Sequence, residues 1–289
     1  MLRLAYALAA LLLLVLALFP FPPSSALHAE PNGNNRFYLS SVLQQSAGNA
    51  TATPIPVPTP TPSGVVAVLD NHSWYFNKLL SYYFVVGEVE NGTDNPIELI
   101  QVLITFYDES DNPIYSDSTF VKGEQLSSGE KSCFLLIADG LDTAWARYEF
   151  SDITYFDYPD NSPSLSVSNV TGDVVEYETY EEYEVQGIVR NSSSSAVPFA
   201  EMVGTLYNTQ GTVVDCGFAW EYDMPPNSNE SFAIEYNFRL AYSGLVDSLR
   251  ILPTGNFGDS PARSPKAQKA QEQYQAEQIN QRELGEIRP

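Results

Sequence analysis

The chain is short of bases, histidine and cysteine. Fourteen Lys and Arg stand against 36 Asp and Glu, for a formal net charge of −22. Nucleic acid needs a basic surface that displaces counterions from phosphate, so that class of partner is excluded. Two histidines, one of them in the leader, cannot build a histidine-rich metal site. Two cysteines cannot staple a disulfide-dense mini-protein. No G-x-S-x-G elbow, Walker A or dinucleotide glycine pattern occurs. What is present is 44% apolar residues with 18 Tyr and 15 Phe, which argues against a wholly disordered chain.

One long apolar run exists, from Leu4 to Phe19. Arg3 precedes it, Pro20, Pro22 and Pro23 end it, and Ser24–Ala26 offers an S-x-A cleavage site. Residues 1–29 therefore read as an export signal; the alternative is a retained anchor, although the run is shorter than the ~20 residues that span a bilayer. Either reading places the remainder outside the cytoplasm, secreted or at the cell surface. Residues 30–64 form a Pro/Thr-rich linker, TPIPVPTPTPS at its centre, suited to extended polyproline geometry. Residues 258–289 are rich in Gln, Glu, Lys and Ala and poor in large apolar side chains. They are expected to be disordered or transiently helical, with a thin apolar stripe as the alternative of a partner-binding helix.

Between linker and tail the chain repeats itself at a shift of 100 residues, without a gap. YYFVVGEVEN at 82–91 meets EYEVQGIVRN at 182–191, and ITFYDESDNPI at 104–114 meets GTLYNTQGTVV at 204–214. Tyr83/Tyr183, Val85/Val185, Gly87/Gly187, Val89/Val189 and Asn91/Asn191 match at every second position, which is strand period. The matched valines are expected to face a core. The alternate residues, Phe84, Val86, Glu88 and Glu90 against Glu184, Gln186, Ile188 and Arg190, read as a partly wet face. Gly87 and Gly187 mark a close approach, a bulge or room for a bulky neighbour. Asn91 and Asn191 suit turns at the strand ends. In the next strand Ile100/Ala200, Val102/Met202 and Phe106/Leu206 line the inner side. Six or seven short strands per copy predict an all-β protein of two tandem immunoglobulin-like antiparallel β-sandwiches, repeat 1 over 65–160 and repeat 2 over 165–257.

The strand ends Gly87-Glu88-Val89-Glu90-Asn91 and Gly187-Ile188-Val189-Arg190-Asn191 carry a resemblance. So do Ile104-Thr105-Phe106-Tyr107-Asp108 and Gly204-Thr205-Leu206-Tyr207-Asn208. On these the chain resembles the FxLYD domain family, small extracellular bacterial β-sandwich modules, in two tandem copies. The resemblance implies a fold and an exported setting. It implies no catalytic residues to carry over.

Candidate chemistry is thin. His72, the only histidine of the repeats, sits in DNHSW and reads as an exposed loop residue without triad partners. Asp108-Glu109-Ser110-Asp111-Asn112 offers oxygen ligands for calcium, but the equivalent Asn208-Thr209-Gln210-Gly211 carries no carboxylate, so a hairpin turn is the reading. Paired carboxylates for glycoside hydrolysis are abundant but lack a cleft signal. Tyr interleaved with acid at 176–183, and Tyr155-Phe156-Asp157-Tyr158, suit sugar stacking or a protein partner, or simply strands. Cys133 and Cys216 fall at non-equivalent positions, so no repeat-internal pair exists and two unpaired thiols are expected; the alternative is a bridge between the two domains, which export permits. The sequons at Asn49, Asn71, Asn91, Asn169, Asn191 and Asn229 are read as incidental. No catalytic, cofactor-binding or metal residues and no cofactor are assigned. The expected function is a non-catalytic exported module that binds an unidentified extracellular protein or glycan, or serves the envelope structurally. Membrane contact is expected only through an uncleaved N-terminal segment. The alternative is an extracellular carbohydrate-active protein, a binding module or an acid-type hydrolase.

Overall fold

A computed structural model describes residues 64–123, 125–141, 144–158, 162–236, 242–257 and 265–286. The leader and linker residues up to 63 lie outside them, so the export signal and the stalk are not addressed by the structure. The described chain is all-β with antiparallel sheets and one helix. The first half holds β1 (Val66–Val68), β2 (Ser73–Asn77), β3 (Tyr82–Asn91), β4 (Ile97–Tyr107), β5 (Pro113–Phe120), β6 (Lys131–Ala138) and β7 (Arg147–Asp157). The second holds β8 (Leu165–Glu176), β9 (Glu181–Asn191), β10 (Val197–Tyr207), β11 (Val213–Met224), β12 (Asn229–Glu235) and β13 (Ser248–Asn256).

The two halves share one topology. In the first, β1 and β2 both lie along one side of β3 and β6 along the other; β5, β4 and β7 form the second sheet. In the second, β8-β9-β12 and β11-β10-β13 repeat that order, β8 standing for the interrupted pair β1 and β2. Gly87 lies opposite Phe134 and Gly187 opposite Phe232, so the register repeats as well. A Cβ on Gly87 would stand 2.6 Å from the Phe134 ring and one on Gly187 2.6 Å from that of Phe232. Of the three meanings these glycines could have, room for a bulky neighbour is the one present.

The matched inner faces behave as their period demands. Val85, Val89, Val102 and Phe106 are buried with Phe134 and Leu136 in one core; Val185, Val189, Met202 and Leu206 are buried with Phe232 and Ile234 in another. Asn91 and Asn191 do more than end a strand. Each is fully buried and stitches its turn to the next loop. Asn191 donates to Ser195 O and Pro225 O and accepts from Ser193 N; Asn91 donates to Asn95 O and Leu126 O and accepts from Thr93 N. Their amides are thus engaged in the fold rather than presented as sequons. Removing such a group strands its buried partners. Asn191→Ala is expected to lose about 2–3 kcal/mol in urea unfolding, against little for the exposed Ser192→Ala.

The alternate face of β3 corrects the sequence reading. In the second half Gln186 and Arg190 are exposed as expected. In the first half Phe84, Val86 and Glu88 are fully buried, because the β3–β6 sheet packs its outer face on the outer face of the β10–β11 sheet. Phe84, Val86, Cys133 and Leu135 meet Val203, Val213 and Cys216 in a third core. Four sheets are therefore stacked, with three cores between them. A period-2 pattern fixes which residues share a face, but not whether a second copy covers it.

The cysteines are corrected too. Cys133 and Cys216 form a disulfide across this third core, with their Cα atoms 5.8 Å apart. Their positions are non-equivalent in the repeat because the two halves meet through different sheets. Opposite strands of different order supply the pair.

The tail also differs from expectation. Helix α1 (Pro265–Glu286) starts on a proline, which suits the first helical turn. It seats Ala267 and Tyr274 on Leu99 and Phe120. Polar bonds do most of the docking: Glu277 accepts from Thr119 Oγ1 at 2.7 Å, Tyr274 donates to Glu201 at 2.8 Å, and Gln281 donates to Leu135 O. The buried Lys122 lies 3.7 Å from Glu277. A weak apolar stripe hid this docking from a reading based on hydrophobic period.

Candidate functional site

Two constellations gather the polar and aromatic side chains of the first half. One is enclosed, the other open.

The enclosed one centres on Glu88, carried by β3 into the contact between the halves. Its side chain has no exposed surface, and both oxygens are taken. Oε1 accepts from Tyr207 Oη at 2.6 Å and Arg250 Nη2 at 2.8 Å; Oε2 accepts from Asn71 Nδ2 at 2.7 Å and Lys131 Nζ at 3.0 Å. Burial pushes the Glu88 carboxyl up. Arg250 and Lys131 outweigh that, with help from the Tyr207 and Asn71 hydrogen bonds, and hold its pKa below the ordinary value. Tyr207, the tyrosine of the second family-like strand end, is pushed up by its burial. A second buried carboxylate, Asp215, accepts from Tyr242 Oη of its own half and from Tyr75 Oη of the other. These groups are fully engaged with each other. Their chemistry is that of a charged fastener between the halves.

The open constellation lies at the edge of the first half, between β2 and the start of β7. Along β2, Trp74 and Phe76 lie on the same face as Val85 and Tyr83 but at its open edge, 49% and 43% exposed. Trp74 meets Trp145 edge to face, with centroids 4.8 Å apart at 76°. Tyr83 packs under both Trp74 and Phe76. Arg147 stacks on the Tyr107 ring at 4.0 Å and holds Asp111 at 2.9 Å and Glu149 on its other side. Trp74, Trp145 and Arg147, together with His72, Ser73 and Tyr148, line a cleft of about 480 Å³.

His72 is not an exposed loop residue. It is half-buried where the chain steps between β1 and β2, hydrogen-bonded through Nδ1 to Tyr148 Oη at 2.7 Å and edge-on to Phe150. Burial lowers its pKa against the pull of Asp70. The Asp108 loop is a turn. Asp108 Oδ1 accepts from Ser110 N and Asn112 N, and Asn208 Oδ1 accepts from Gln210 N and Thr212 N in the same way. An acceptor oxygen is all the turn needs, which is why Asp and Asn exchange there. The Asn112 hydrogen bonds hold the Asp108 carboxyl below its usual range. Among the described residues, no group of three or more His, Cys, Asp or Glu is placed to hold a metal. Of the tyrosine runs, Tyr158, Tyr180 and Tyr183 are buried, Tyr177 stacks on Tyr180 at 4.5 Å, and Tyr155 stands apart, 40% exposed. The runs therefore do not converge on a site.

Sequence reasoning passed over Trp74 and Trp145. A signal for them existed in the repeat. In the register of the sheets Trp74 and Phe76 take the places of Gly172 and Val174, so the first copy carries large aromatics where the second does not. No protein-family profile matches the chain, and no curated protein is similar to it.

Proposed function

We propose that the protein is an exported, non-catalytic module of two immunoglobulin-like β-sandwiches of FxLYD type, acting as a rigid binding block outside the cytoplasm. The observation that carries this reading is the Cys133–Cys216 bridge across the contact between the halves. Such a bond forms and persists in oxidising compartments. It agrees with the apolar leader and with an exported setting. The repeated sheet order supports the tandem-sandwich description. The motif residues support a role without chemistry: Asn91 and Asn191 tie turns, and Tyr207 serves Glu88. The open cleft at Trp74 gives the block a face on which to bind.

The test is fractionation of cells that express the full chain, combined with thiol labelling. The protein is expected outside the cytoplasm, with no thiol reactive under denaturing, non-reducing conditions. A cytoplasmic protein with two alkylatable cysteines would end the reading. Turnover in a broad hydrolase screen that disappears on carboxylate substitution would end its non-catalytic part.

A further inference from the structure

The same scaffold builds the same edge twice and uses it differently. In the register of the sheets, Trp74 lies opposite Val85, and Gly172 lies opposite Val185. Phe76 lies opposite Tyr83, and Val174 opposite Tyr183. Tyr148 lies opposite Phe106, and Leu249 opposite Leu206. In the second half the edge is shut: a Cβ on Gly172 would stand 2.8 Å from Leu249 and 2.8 Å from Tyr183. This scaffold can therefore close the edge without large aromatics. The first half nevertheless holds Trp74 and Phe76 about half in water, beside a cleft of about 480 Å³. Exposed aromatics that folding does not require point to a ligand.

The lining states the ligand's chemistry. The floor is made of ring faces and edges from Trp74 and Trp145. The rim is polar, with Ser73, His72 and Arg147, and the Arg147 charge is fixed by stacking on Tyr107 and balanced by its ion pairs with Asp111 and Glu149. A sugar ring presents an apolar C–H face that stacks on indole and a girdle of hydroxyls that donate and accept. It matches floor and rim together. A proline-rich strand would use the floor and leave the rim charges idle. A polyanion would approach a molecule of net charge −22 against its field. We infer that the Trp74–Trp145 cleft binds a pyranose unit of an uncharged glycan. This rests on the binding-module reading and deepens it.

Tryptophan fluorescence and calorimetry of the full chain test it. The probes are cellohexaose, chitohexaose and mannohexaose, with polygalacturonate and the peptide TPIPVPTPTPS as the other arms. At least one neutral hexasaccharide is expected to bind with micromolar to millimolar affinity. Trp74→Ala should weaken it by about tenfold or more, as loss of an aromatic anchor does. Trp74→Tyr should recover part of the loss, and Tyr222→Ala, on an exposed position of β11, should change nothing. An unchanged melting profile in Trp74→Ala would show that the loss is local. No binding by any neutral hexasaccharide overturns the inference, as does binding by the peptide or polygalacturonate alone, or binding untouched by Trp74→Ala. A co-purifying partner still captured by Trp74→Ala would retire the glycan while leaving the binding block standing. Absence of both sugar and partner would retire the two together.

Discussion

Glu88→Ala is expected to lower unfolding stability by about 3–5 kcal/mol, the range for removing one partner of a buried charge pair. The carboxylate has no exposed surface, and four donors close on it. Without it, Arg250 and Lys131 are left facing each other across the contact between the halves with no counter-charge. Lys131, a third exposed, can swing towards water, whereas Arg250 is held more deeply. Glu88→Gln should cost less, since it keeps the shape and one acceptor oxygen. Equilibrium unfolding in urea measures both. The same group sets an acid limit. Its folded pKa lies below its ordinary value, so the stability it supplies is complete above that ordinary value, and it is lost as pH falls through the depressed folded one. Melting temperature should therefore fall in the acid range below about pH 4.5, and Glu88→Gln should flatten that part of the profile. An alanine variant within 1 kcal/mol of wild type would show that the cluster is solvated rather than closed.

Cys133→Ser with Cys216→Ser is the second large effect, expected at about 2–5 kcal/mol, or roughly 5–15 °C in melting temperature. The bridge closes a loop of 83 residues, long enough for the entropy of the unfolded chain to matter. The double variant should still fold with its halves in contact, since Phe84, Val86 and Leu135 remain packed on Val203 and Val213. Burying each such side chain supplies about 1.5–3 kcal/mol. Reduction of the wild-type protein should reproduce the shift. A melting temperature indifferent to reductant would mean that the bond adds nothing the shared core does not already give.

Local period makes much of the first and last cores legible. Alternation alone points Val85, Val89 and their partners a hundred residues on into a core, and they are buried there. The middle of the molecule was not legible, for physical reasons. Glu88 in the alternate face argues for water unless its counter-charges are known, and these come from Lys131 and from Arg250, 162 residues away. The disulfide was hidden because the repeat invites a search for equivalent positions, while stacking joins β6 of one half to β11 of the other. The helix was hidden because Glu277 and Tyr274 dock it more than any apolar stripe does. The cleft at Trp74 is written in the sequence as a difference between the copies, which a repeat read by its matches leaves unmarked.

The stack of four sheets has one further consequence. Its two outermost surfaces carry Gln186 and Arg190 at one end and Glu149 and Ser151 at the other, all in water. These positions contrast with the apolar Phe84, Val86, Val203 and Val213 by which the inner pair adhere. A further sheet stacked at either end would meet these polar side chains instead of an apolar face of that kind.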